Sequence, residues 1–114
     1  GLGPLVIGPM VERKMGLNSL ASLSLNPKEW QTAYWAKERG LFNEVFSTQD
    51  QADAYLETYL KYMSETSIQA MTVVKNMLWE DTDHWYSLIP NRAEQSAQLL
   101  MTKECKDEIK KFLI

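Results

Sequence analysis

The residues able to do chemistry are few and far apart. Glu12 follows an apolar run containing glycine and proline, and it is a carboxylate of the kind used for general acid–base work. A charge on a solvated helix face is nevertheless the favoured reading. Asp81, Asp83 and His84 bring oxygen and nitrogen donors close together in sequence, the donor types that metals take. The chain has 1 histidine, however, and this spacing matches no standard ligand set. Helix-end charges and a surface histidine are therefore expected, and no metal. Cys105 is the chain's 1 cysteine. No histidine stands near it in sequence to raise its nucleophilicity, and helical spacing predicts a small core residue. Trp30, Trp35, Trp79 and Trp85 are many for so short a chain. Ordinary packing is favoured over ligand stacking, with Trp30 and Trp85 on core or interface stripes and Trp35 facing a partner. Met63, Met71 and Met77 suit adaptable packing.

These groups must be carried by a small, mostly helical body. A length of 114 residues fits one domain, and 45% apolar with 24% charged residues is ordinary for a globular chain. A net charge of -3 with no basic run argues against nucleic acid as a partner. The longest apolar runs fall far short of a membrane span, and Gly1 to Val11 is a poor signal peptide, broken by Pro4 and Pro9. One cysteine excludes a disulfide framework and fits a reducing, cytoplasmic setting.

In chain order, Gly1 to Pro9 reads as a loop, and Pro4 or Pro9 suits the first turn of a helix. Val11 to Leu25 reads as a helical region interrupted at Gly16. Asn26-Pro27-Lys28-Glu29 has the form of a helix start, and that helix should run to Arg39 and stop at Gly40. Leu41 to Phe46 reads as a short strand. Thr48, Thr66-Ser67 and Thr102 are start signals for three more helices with apolar stripes. One stripe includes Tyr55, Leu56, Tyr59 and Leu60, the next Met71, Val74 and Leu78, the last Cys105, Ile109 and Phe112. Glu80 to Asp83 is an acidic break, and Pro90 either kinks the helix around it or begins one. The sum is a mainly α chain, about six helices and one short strand. Because a single strand leaves its backbone groups unpaired, the chain is expected to pack on something else. It starts at Gly1 without methionine and stops on Phe112-Leu113-Ile114 within an amphipathic pattern, so a piece of a longer protein is expected.

Four segments together resemble the crotonase (enoyl-CoA hydratase/isomerase) superfamily. Ala36-Lys-Glu-Arg-Gly40-Leu41-Phe42-Asn43-Glu44-Val45 is similar to that family's alanine, three residues and Gly-Leu-Val-Asn-Glu-Val, with Phe42 the departure. Arg13-Lys14-Met15-Gly16 resembles its Arg-x-x-Gly. Ser67 to Leu78, with Ala70 and Lys75, resembles its Ala-x-x-x-x-Lys helix. Thr102 to Leu113, with Glu104, Asp107, Glu108, Phe112 and Leu113, resembles its closing helix.

The resemblance implies the C-terminal part of an α/β fold built of ββα turns, with residues 1–46 ending the core and residues 47–114 forming a C-terminal helical region that covers the active site and builds trimers. It implies an enzyme acting on an acyl-CoA thioester by enolate stabilisation, a hydratase or isomerase, assembled as a trimer or hexamer. No cofactor is implied beyond the coenzyme A of the substrate. The oxyanion hole and both catalytic glutamates would precede Gly1, so no catalytic residue is expected in this chain. Gly3 and Pro4 would stand at the substrate-pocket rim, with Pro4 where hydratases have a glycine beside the catalytic water. Ser96 falls where some members place an aromatic residue against a neighbour's coenzyme A. The basic face of Lys103, Lys106, Lys110 and Lys111 is solvated by default. Contact of Lys110 and Lys111 with the coenzyme A phosphates of a neighbouring subunit is the competing reading. The alternative to the whole assignment is a self-contained helical oligomerisation or interaction module without catalysis.

Overall fold

The computed structural model describes residues 2–111. Gly1, Phe112, Leu113 and Ile114 lie outside the described residues. Six helices follow in order: α1 (Gly8–Leu25), α2 (Ala33–Glu38), α3 (Gln49–Ser64), α4 (Ile68–Leu78), α5 (Trp85–Leu100) and α6 (Lys103–Lys110).

Local chemistry explains most boundaries. Thr48, Ser67 and Thr102 each turn a side-chain oxygen toward an otherwise unpaired N–H in the first turn of α3, α4 and α6. Gln51 Oε1 also accepts from Ser47 N–H at 3.2 Å, so this end is closed from both sides. Pro9 occupies the first turn of α1, where its missing N–H leaves nothing unsatisfied. Gly16 breaks α1 into two segments with φ 79° and ψ 159°, a conformation open to glycine alone.

Two expectations are corrected. The helix predicted from Asn26 begins only at Ala33, and Thr32 caps it by accepting from Trp35 N–H at 3.0 Å. Asn26 spends its amide on Glu29 Oε2 at 2.6 Å, a turn contact that competes with capping. Trp30, left on this turn, is 94% exposed rather than part of a core stripe. The strand predicted over Leu41 to Phe46 is also absent, and no strand occurs among the described residues. Its apolar run is interrupted by Asn43 and Glu44, and no second strand among the described residues offers the N–H and C=O groups a ladder requires. Pro90 is resolved in favour of an interior position in α5.

The helices share little interior. Met15, Ala36 and Cys105 are the buried hydrophobic residues among those described, Cys105 at 1% exposure. Helices α3, α4 and α5 bury no residue fully, and among the described residues the one helix pair with closely approaching backbones is α5 and α6, which follow one another directly. The apolar stripes formed at the expected spacing but stay uncovered: Tyr55, Leu56, Tyr59 and Leu60 on α3, and Val74, Met77 and Leu78 on α4. The radius of gyration is 18.2 Å, against about 13 Å for a compact chain of this length. The accessible surface is 9508 Å², against about 6,400 Å² for a compact monomer of this mass. The surplus, about 3,100 Å², exceeds the roughly 800 Å² that one partner contributes to a standard interface.

Candidate functional site

Three separated segments meet on α1. Arg13 donates through Nε at 3.2 Å and Nη2 at 2.7 Å to the carbonyl oxygen of Leu78, the last residue of α4. A cation is favoured there, because the closing carbonyls of a helix have no partner within it. Gly40 lies against the next residue of α1. A Cβ built on Gly40 would stand 2.9 Å from the backbone oxygen of Lys14. Gly40 reaches this position as the closing residue of α2. Its φ is +82°. Its N–H donates to Lys37 O at 2.9 Å, and Leu41 N–H donates to Ala36 O at 2.9 Å, the two bonds of a Schellman motif. Lys37 and Glu44 then clasp the turn with an ion pair at 2.5 Å, and the Arg39 guanidinium lies 4.2 Å over the Trp35 ring.

The same seam continues to α5. Arg92 Nη1 donates to Leu5 O at 3.4 Å. Between the two arginines is a hollow of mixed character, bordered by Glu12, Asp81 and His84 and by the apolar Pro9, Trp85 and Leu88. Glu12, read in sequence as a possible reacting carboxylate or a solvated charge, is exposed. Asp81 and His84 share this hollow, whereas Asp83 lines a separate acidic one beside Glu80. No group of three or more His, Cys, Asp or Glu side chains stands together for a metal among the described residues. Asp81 has φ 61°, the sole non-glycine residue with positive φ among the described residues, and it lies in the turn between α4 and α5.

That turn also builds an aromatic hollow of about 390 Å³, walled by Trp79, Thr82, Trp85, Tyr86, Ile89 and Pro90. The Trp79 and Trp85 rings meet edge to face, 6.0 Å between centroids and 88° between planes. Thr82 Oγ1 donates to Trp79 O at 2.7 Å and fixes the floor. The grouping was missed in sequence because Trp79 and Trp85 sit on different helices. The acidic run between two tryptophans was the available signal. Such a hollow can seat an apolar group but presents no charge to it.

Gly3 and Pro4 border a third hollow, about 420 Å³, with Leu2, Ile7, Val11, Leu20 and Leu23 among its walls. It lies in the bend of α1 that Gly16 creates. On α6, Lys110 pairs with Asp107 at 3.6 Å and Lys111 with Glu108, both one turn apart on the same helix. The hydrogen bond from Lys111, and then its charge, hold the Glu108 carboxyl below its ordinary range. Ser96 is half-buried on α5. Comparison with family models, curated proteins and solved structures produced no match to this chain.

Proposed function

We propose that these residues are the C-terminal helical portion of a crotonase-like enzyme, a hydratase or isomerase acting on an acyl-CoA thioester. Their work there is to cover the catalytic core and to supply subunit contacts, while the reacting groups come from elsewhere in the protein. One observation carries the reading. Three of the four segments that resemble the family converge in space: Arg13 of Arg-x-x-Gly holds the end of the Ser67 to Leu78 helix, and Gly40 rests on Lys14. Segments 65 positions apart are joined through Arg13, one of the residues that carry the resemblance. The surplus of about 3,100 Å² of surface supports a piece that completes its core against another body. The apolar hollow beside Gly3 and Pro4 is of a size that suits an aliphatic group. Lys110 and Lys111, 75% and 66% exposed, remain within reach of a neighbour's phosphates at the cost of weak one-turn ion pairs.

The reading is tested on the product of the full coding frame. It is expected to carry about 150 further residues ahead of Gly1, with two glutamates at the hydratase positions, and to hydrate or isomerise an enoyl-CoA as a trimer or hexamer. A frame encoding only these 114 residues, whose product self-assembles and shows no heat of binding with an acyl-CoA, refutes it in favour of a self-contained helical interaction module.

A further inference from the structure

We infer that Arg13 and Arg92 are paired latches fastening the C-terminal helices to the N-terminal segment, and that α4, α5 and α6 swing away from α1 when both let go. The two arginines make the long-range side-chain hydrogen bonds of the chain, across 65 and 87 positions. Every other side-chain hydrogen bond among the described residues joins groups no more than 7 positions apart. Packing adds little to them at the seam: the buried Pro9 shares an open hollow of about 390 Å³ with Trp85 and Leu88 of α5 and with both arginines.

The latches differ in strength. Arg13 sets two donors on one helix-terminal carbonyl, with the shorter at 2.7 Å, and hydrogen bonds to charged groups are the stronger kind. Arg92 reaches Leu5 with one donor at 3.4 Å. Neither guanidinium has a carboxylate within ion-pair distance among the described residues, so no competing charge holds them in place when the carbonyls are lost. Helices α5 and α6, joined by the Thr102 hydroxyl through Leu99 O and Cys105 N–H, travel as one unit. On the function proposed above, the moving part is the cover of the acyl-CoA site, but the latches stand on contacts within this chain and do not depend on that function.

Spin labels at Asn18→Cys on α1 and Gln95→Cys on α5, both exposed positions, measure the seam by pulsed electron resonance. Cys105, 1% exposed, stays unlabelled and reports that α5 and α6 remain together. Arg13→Gln is expected to raise the population of long distances about tenfold, the factor equivalent to 1.4 kcal/mol. Arg92→Gln is expected to raise it about threefold and the double variant about thirtyfold, since independent contributions multiply. Arg13→Lys, keeping the charge and a single donor, recovers part of the short distance. A double variant with the distance distribution of the parent overturns the inference. So does loss of helical circular dichroism in every variant, Arg92→Gln included, because the arginines would then hold the whole fold and not a moving part. Acyl-CoA binding is absent from all these measurements, so their failure is separable from failure of the proposed function.

Discussion

Gly40→Ala tests how α2 is seated on α1. Two terms oppose the substitution. The first is conformational: φ is +82°, and an L residue in the left-handed region costs about 1–2 kcal/mol. Part of this, about 0.4–1 kcal/mol, is offset because alanine restricts the unfolded chain. The second is steric. The new Cβ would stand 2.9 Å from the Lys14 carbonyl oxygen. That atom belongs to a helix backbone and cannot rotate away, so α1 or α2 must shift, at about 1–3 kcal/mol by analogy with overpacked sites. The expected sum is about 1–5 kcal/mol, a large share of the 5–15 kcal/mol that ordinarily holds a domain. Urea unfolding followed by circular dichroism measures it. Gly40→Asn separates the terms, because asparagine tolerates the left-handed region but carries the same Cβ. If conformation alone mattered, Gly40→Asn would cost no more than about 0.5 kcal/mol. With the close approach it stays above about 1.5 kcal/mol, and a value near zero would refute the seating of Gly40 on Lys14.

Thr102→Ala should cost about 1–2 kcal/mol by the same assay, because Oγ1 both accepts from Cys105 N–H at 3.3 Å and donates to Leu99 O at 2.7 Å, joining α5 to α6; Thr102→Ser should cost clearly less. Pro90→Ala should raise the unfolding free energy measured in urea, by up to about 3 kcal/mol, since Pro90 lies inside α5 and denies one carbonyl its partner; a fall would mean that the ring's packing in the aromatic hollow outweighs the lost bond. Glu108 has its pKa lowered by the hydrogen bond and charge of Lys111. Its contribution is therefore complete above the unfolded carboxylate pKa and fades as pH falls through the folded one. Carboxyl resonances followed by NMR should show the Glu108 midpoint rising in Lys111→Gln, and an unchanged midpoint would dismiss the pair.

Helix starts were legible wherever one side chain decides them. Thr48 and Thr102 cap as read, and Ser67 caps within the Thr66-Ser67 start signal, because the capping bond involves residues three positions apart and needs no tertiary partner. The Gly40 stop was legible for the same reason. Asn26 misled because two local bonds competed and the contact with Glu29 prevailed. Leu41 to Phe46 misled because strand propensity describes a residue's fitness for a sheet and supplies no neighbouring strand. Cys105 was read correctly as a core residue, since its helical face could be counted. Trp30 was not, since its helix does not extend to it.

The sequence by itself determined a mainly helical chain of six helices, the position of most caps, and apolar stripes too numerous for so small an interior. Those are consequences of spacing and of bonds made within a few residues. Only the tertiary structure decided that Arg13 reaches Leu78, that Arg92 reaches Leu5, and that Gly40 must lack a side chain because a carbonyl from α1 occupies its space. The aromatic hollow likewise depends on the backbone reversal at Asp81, which turns Trp79 onto Trp85. Such contacts join residues distant in sequence, and their partners are set by where the chain turns rather than by what any one residue prefers.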